Sequence, residues 1–391
     1  MQYVEGIKMG YKPAIVVIAY NRAESLKRLL DSLANADYPE KDISLIISID
    51  YHPNNRDVID VANEFEWVNG IKIVQTHDEK KGLRQHVLEC GDYVFDYQAI
   101  IMLEDDLVVS RDYYYFAQAA QNFYTDENNI GGVSLYSNEL NNFSRHVFRP
   151  LRTQYDVYFR QVCESWGQSW TERQWKGFRE WLNKNITIGY GTDMPQEIYN
   201  WPETSWGKYF SKYVVESNLF LVIPYIARST CFSEVGQHTN SKDVSNQVCL
   251  QNGIPEKYVF PDFSKGVHYD IFFENMDLQP YLYEWCGEEK CRIDINGLHP
   301  NGNERYTLST LSKPYKIVHG FALEMKPPEQ NIIFNIQGKD ILLYDTTEHA
   351  RAPQIKFEMN DYDLSVYRKK EISKYIKKTC CNKLFNKLKH G

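Results

Sequence analysis

Along the first third of the chain, short apolar runs alternate with stretches of helical periodicity. Pro13 is followed by AIVVIAY, a β-branched run that predicts a buried strand. RAESLKRLLDSLANA then places Leu26, Leu29, Leu30 and Leu33 on one helical stripe. The alternation continues with ISLIISID as a strand, RDVIDVANEFEWV as a helix, GIKIVQTH as a strand, GLRQHVLECGDYVF as a helix and AIIMLEDD as a strand. Such a pattern predicts an α/β fold, a mostly parallel sheet flanked by helices. Ligands of these sheets bind beyond the carboxyl ends of the strands. That rule singles out the polar residues just after each run: Tyr20, Asn21, Arg22, Asp50, His77 and the triplet Glu104, Asp105, Asp106.

The pattern changes further on. ESWGQSWTERQWKGFREWL is dense in tryptophan, and NWPETSWGKYFSKYVVESNLFLVIPYIARSTCFSEVGQHTN predicts a helix, then a strand, then a glycine-containing loop. From about Asn301 the chain reads as short strands separated by turns: NIIFNIQG, KDILLYD and PQIKFEMNDYDLSVY. These predict a small β-rich extension over 301–367. The tail from Arg368 to Gly391 holds nine Lys or Arg and one Glu. On a helix, Ile372, Ile376, Leu384 and Leu388 fall near one stripe, with the basic residues mostly elsewhere. A basic amphipathic helix over 368–391 suits an anionic membrane surface.

Composition narrows the partners. The chain has 391 residues and a net charge of −8, which argues against nucleic acid. Its 29 Tyr, 19 Phe and 8 Trp suit stacking on sugar rings as well as an aromatic core. The early apolar run AIVVIA falls far short of the ~20 residues that span a bilayer. Without a secretory signal, the expected location is cytoplasmic, peripheral on the inner face of the membrane, with the eight cysteines reduced. A zinc site at Cys286 and Cys291 would need two more ligands, and none stands nearby in the sequence.

Three consecutive carboxylates inside YQAIIMLEDDLVVSRDYYYF need a reason, because ionised carboxylates are costly in apolar surroundings. One reading is an acidic turn whose carboxylates cap the helix at RDYYYFAQAAQNFY. The other is a hard divalent cation, Mn²⁺ or Mg²⁺, at the ligand-binding edge of the sheet.

PAIVVIAYNRAESLKRLLDSL, IISID and IIMLEDDLVVSRDYYYF, in that order and spacing, resemble the nucleotide-binding half of GT-A glycosyltransferases. They are similar to bacterial family 2 enzymes and to the N-acetylglucosaminyltransferase I group. SWGQSW, NWPETSWGKYFSKY and VGQHTN resemble later motifs of those groups, so the likeness covers roughly 13–260. It implies a GT-A (Rossmann-like) domain over 1–300, with a nucleotide-sugar half at 13–116 and an acceptor half at 117–300. It also implies a nucleotide-sugar donor, with UDP-sugar favoured, and a glycan or lipid-linked acceptor. Ala19, Tyr20, Asn21 and Arg22 would lie near the base, Asp50 at the uracil or ribose, and His86 in the donor site. Glu104 and Asp105 would hold the ribose and donor sugar. Asp106 would ligate the metal, joined by His238, and Trp166 and Trp206, with Trp170, would face the acceptor.

One departure stands out. Where the N-acetylglucosaminyltransferase I group carries its catalytic Asp-Asp, this chain has Gly207 and Lys208. Glu164 and Glu203 are then the candidate catalytic bases. Two alternatives remain: a nucleotidyltransferase acting on sugar phosphates, whose usual Gly-rich loop AYNRAES lacks, and a non-catalytic glycan-binding protein with a degenerate transferase fold.

Overall fold

A computed structural model describes residues 10–184, 187–232, 244–365, 373–374 and 376–378. The chain divides into two compact units: Met1–Phe143, Phe148–Asp277 and Leu298–Pro300 form the first, and Ser144–Val147, Leu278–Gly297 and Asn301–Gly391 the second.

The first unit opens with the expected alternation: β1 (Ala14–Ala19), α1 (Ala23–Ala34), β2 (Leu45–Ile49), α2 (Arg56–Glu64), β3 (Lys72–Thr76), α3 (Leu83–Asp92), α4 (Val94–Tyr97) and β4 (Ala99–Glu104). There follow β5 (Leu107–Val109), α5 (Tyr113–Phe123), β6 (Ile130–Ser134), β7 (Val157–Arg160), β8 (Gln168–Thr171), α6 (Glu172–Lys184), α7 (Gln196–Asn200), α8 (Trp206–Glu216), β9 (Phe220–Pro224), β10 (Ser229–Cys231) and β11 (His268–Tyr269). A nine-stranded sheet runs β11-β7-β9-β6-β8-β4-β1-β2-β3. The block from β4 to β3 is parallel, β6 and β9 pair in parallel, and β8 lies antiparallel between β4 and β6.

β1 and β2 are buried on both faces because helices cover both sides of the sheet, so they read as apolar runs, interrupted in β2 by Ser48. The α1 stripe Leu26, Leu29, Leu30 and Leu33 is buried in one core, with Ile15, Val17 and Ile47. Val16, Ile46, Trp170, Trp175 and Phe210 build the core on the other face. Asp50 N–H donates to Ala19 C=O at 3.0 Å, and Ile18 pairs with Glu104. This register brings the ends of β1, β2 and β4 to one edge.

The second unit contains α9 (Tyr283–Cys286), β12 (Cys291–Asp294), β13 (Tyr306–Ser309), β14 (Tyr315–Phe321), α10 (Glu329–Ile333), β15 (Ile341–His349) and α11 (Met359–Leu364). Its four-stranded sheet runs β12-β13-β15-β14 around a core that includes Leu308, Phe321, Leu343 and Ile332. The unit is β-rich, and besides the residues from Asn301 onward it takes in Ser144–Val147 and Leu278–Gly297, where β12 pairs in parallel with β13.

Two of the expected strands are helical instead. NIIFNIQG contributes to α10, which follows Pro327 and Pro328 and is braced by Asn331. The Asn331 side chain accepts from Glu324 N–H and Met325 N–H and donates to Met325 C=O and Pro328 C=O. PQIKFEMNDYDLSVY carries α11, whose start is fixed by a reciprocal capping box between Glu358 and Asp361. The expected basic helix over 368–391 lies outside the described residues apart from 373–374 and 376–378.

Candidate active site

The acidic triplet sits where β4 leaves the sheet. Glu104 closes β4, Asp105 and Asp106 turn, and β5 resumes as an antiparallel ribbon with β10. Phe232 N–H donates to Asp106 C=O at 2.9 Å, which extends that pairing. Behind the ribbon, the buried Asp112 carboxylate accepts from Ser110 Oγ at 2.6 Å, Tyr258 OH at 3.0 Å and Arg228 Nε at 3.1 Å. Asp112 precedes α5 but makes no side-chain cap bond, so its carboxylate braces the ribbon rather than the helix.

Arg22, at the turn after β1, reaches across to the triplet. Its Nη1 donates to Asp106 Oδ2 at 3.0 Å and its Nη2 to Asp105 Oδ1. Burial alone would lower the Arg22 pKa, but Asp105 and Asp106 outweigh it and hold the guanidinium protonated. Asp105 nevertheless moves up, to about 6, because its burial costs more than Arg22 returns. Glu104 is pushed well above the carboxylate range, by burial first and then by Asp106 and Asp105. Asp106 Oδ1 is buried and has no hydrogen-bond partner among the described residues.

Asp50 does a different job. Its Oδ1 accepts from Tyr51 N–H and Lys81 N–H, both at 2.8 Å, and its Oδ2 from Gly82 N–H at 3.0 Å. It thereby pins the loop before α3 to the end of β2. His86, on α3, is 2% exposed, and its Nε2 lies 2.7 Å from Ser48 Oγ. Burial drives its pKa down to about 4, so the ring is neutral and belongs to the interior beneath that loop. Ala19 is buried at the end of β1, and Tyr20 meets the His52 ring edge to face.

Glu164 stands on the segment between β7 and β8, ahead of a turn at Gly167. Gly167 has φ +98°, and a Cβ there would come within 2.8 Å of Ser229 Oγ, so the turn requires glycine. Glu164 is 6% exposed. Burial pushes its pKa up to about 7 against the opposing pull of Arg160 and a hydrogen bond from Asn138. Its charge adds to the rise of Glu104, after burial, Asp106 and Asp105. Glu203 is exposed before α8, and its carboxylate accepts from Lys208 Nζ at 2.6 Å and from Tyr209 OH. Lys208 and then Tyr209 hold it below the ordinary range, which weakens it as a base.

Among the tryptophans, Trp206 and Trp170 are buried in the core, where Trp206 meets Trp170 and Phe210. Trp166 is only partly buried and packs edge-on against Tyr136, 4.7 Å between centroids. His238 lies outside the described residues. Among the described residues, no three His, Cys, Asp or Glu side chains gather into a ready metal cage. Asp106 Oδ1, buried and without a hydrogen-bond partner among the described residues, is a carboxylate oxygen that fits a hard cation such as Mn²⁺ or Mg²⁺. Arg160 and Asn138 have no counterpart among the sequence candidates. The signal for Arg160 was a lone charge ending the apolar run VYFR.

No family model matches the chain, and no curated protein sequence does. Solved structures similar to it include a mannosyltransferase, PcManGT, from Pyrobaculum calidifontis in complex with GDP-Man and Mn²⁺: 13% identity, 56% of this chain, 58% of that one, TM-score 0.33. S. aureus TarS 1–349 in complex with UDP-GlcNAc is 10% identical over 57% of this chain and 60% of that one, TM-score 0.38. GalNAc-T7 with UDP, GalNAc and Mn²⁺ is 14% identical over 56% of this chain and 43% of that one, TM-score 0.39. The match thus spans less than two thirds of each of these chains.

Proposed function

We propose that the chain is a metal-dependent, inverting glycosyltransferase of the GT-A type. It would move a sugar from a nucleotide-sugar donor, UDP-sugar by preference, to a glycan or lipid-linked acceptor. The observation that carries this reading is the Asp106 carboxylate: it stands beyond the carboxyl end of a parallel strand, with one oxygen held by Arg22 and the other buried and unpartnered. The finer kinship with the N-acetylglucosaminyltransferase I group is supported by the Trp-Pro segment at 201–202 and by VGQHTN.

The chain's own groups divide the work. Asp50 shapes the loop on which the nucleoside would rest, through the amides of Lys81 and Gly82. Arg22 keeps Asp105 and Asp106 in place and neutralises part of their charge. Asp106, through Oδ1, would hold Mn²⁺ or Mg²⁺. When bound, such an ion stabilises charge on the departing diphosphate. Glu164, poised near neutrality, takes the proton of the acceptor hydroxyl as that oxygen attacks the anomeric carbon from the face opposite the leaving group. Trp166 offers the acceptor a partly open aromatic face.

A thermal-shift panel of nucleotide sugars, with and without Mn²⁺, tests the reading. The melting temperature should rise with concentration for one donor class, and only with the metal present. No response to any nucleotide sugar, or a rise that survives chelation, would sink it.

A further inference from the structure

Arg160 ends β7 and is 1% exposed. A guanidinium so deeply buried is costly unless its charge and donors are used. Nη2 donates to Asn138 Oδ1 at 2.9 Å, while Nε and Nη1 have no hydrogen-bond partner among the described residues. The group lies 4.1 Å from the centroid of the Phe273 ring, and its carboxylate neighbour is Glu164, with Oε2 at 3.7 Å from Nη2. Asn138 accepts from Arg160, and its side chain also helps lower the Glu164 pKa. A purely structural strand position between the two cores would take an apolar residue at less cost. We propose that Arg160 is a positioning residue for Glu164, fixing its carboxylate directly and through Asn138 and keeping it ionised at the pH where the acceptor proton is taken.

This rests on the reading of Glu164 as the base. Among the described residues, the other titratable groups around Glu164 are Glu104 on β4, Tyr136 after β6, Tyr158 on β7, Cys163 and, on β10, Cys231. Burial pushes each of them toward its neutral form, so among the described residues Arg160 is the cation acting on Glu164. An opposite charge at this range lowers a carboxyl pKa by about 1–3 units.

The test is a carboxyl-carbon NMR titration of Glu164 in the full-length chain, with its signal identified by loss in Glu164→Gln, run beside the pH profile of manganese-dependent turnover. Arg160→Gln should raise the Glu164 midpoint by about one unit or more and carry the acid limb of the rate profile with it. Arg160→Lys, which keeps the charge, should return most of the shift. If Arg160→Gln does not fold, Asn138→Leu takes its place and should raise the midpoint by about half a unit. A midpoint unmoved in the folded variant overturns the positioning role. A midpoint that moves while the rate limb stays put leaves the positioning role standing and removes Glu164 as the base.

Discussion

Arg22 Nη1 donates to Asp106 Oδ2 at 3.0 Å and leaves Oδ1 of the same carboxylate without a hydrogen-bond partner among the described residues. One oxygen is therefore committed to the protein and the other is open. Asp106→Ala should abolish manganese-dependent donor binding and lower turnover by at least about 10³-fold, the order expected for losing several kcal/mol of charge stabilisation. Asp106→Asn should be nearly as impaired, since a neutral amide is a poor ligand for a hard cation. Circular dichroism should show both variants folded. Retained manganese-dependent turnover would remove Asp106 from the metal site.

The same ion pair predicts a trade between cation and guanidinium. With Arg22→Met, the carboxylates of Asp105 and Asp106 lose their partner, and the metal-free protein should melt at a lower temperature. Added Mn²⁺ should then raise the melting temperature by more than in the unaltered protein, because the ion replaces the missing charge. A smaller metal-induced rise in Arg22→Met would mean that Arg22 supports cation binding rather than competing with it.

Asp50 anchors a loop through three backbone amides, so its effect should appear in stability as well as in binding. Asp50→Ala removes the acceptor for Tyr51, Lys81 and Gly82 N–H. Hydrogen bonds to a charged group contribute about 1.5–3 kcal/mol each, and the freed amides find water in part, so a loss of about 2–4 kcal/mol is expected by denaturant titration. Amide exchange should quicken at Lys81 and Gly82. Unchanged exchange there would show that the loop holds its shape without Asp50.

The elements that could be read from the sequence share a physical cause. β1, β2 and β4 are covered on both faces and so carry apolar runs, interrupted by Ser48 in β2 and closed by Glu104 in β4, while α1 has one buried stripe. β8 was not legible: QSWT is buried but polar, and its partners are distant, as where Gln121 Nε2 donates to Ser169 C=O at 2.8 Å. The helices α10 and α11 mimic strands in their apolar spacing, and what makes them helical is Asn331 and the Glu358–Asp361 capping box. At the site, the triplet announced itself by three charges in an apolar run. That Asp50 serves Lys81 and Gly82, and that His86 turns inward to Ser48, depends on contacts 31, 32 and 38 residues apart, which no local pattern encodes.

Glu164 should show itself in both kinetics and stability. Glu164→Gln should lower turnover by orders of magnitude with donor affinity nearly intact, the signature of an interaction made during reaction. Full activity would shift attention to Glu203. Rates in the unaltered protein should climb with pH through about 7, where the carboxyl ionises. The stability effect runs the other way. The folded-state pKa is raised from 4.5 to about 7, so the folded protein holds this proton more tightly than the unfolded chain. The resulting stabilisation is fullest below pH 4.5 and is lost as pH rises to 7, by about 3 kcal/mol. Without metal or donor, the loss of stability over this range should be smaller in Glu164→Gln than in the unaltered protein, which keeps Glu164 as well as the raised Glu104 and Asp105. Equal slopes in the two would show that Glu164 ionises like an ordinary surface carboxylate.

The tail RKKEISKYIKKTCCNKLFNKLKHG makes a prediction of its own, drawn from its sequence. Its nine basic residues and the apolar stripe Ile372, Ile376, Leu384 and Leu388 fit a helix lying on an anionic bilayer. Each Lys or Arg near such a surface is worth roughly 1 kcal/mol, so a few contacts suffice for reversible attachment. No described helix is long and apolar enough to cross a membrane. Co-sedimentation should show the full chain binding vesicles that contain anionic lipid and not neutral ones, with binding weakened by salt. A chain ending at Tyr367 should stay in the supernatant in both cases. If the shortened chain binds anionic vesicles as well as the intact one, the tail is not the anchor. A lipid-linked acceptor then loses its support, and a soluble glycan becomes the acceptor to test.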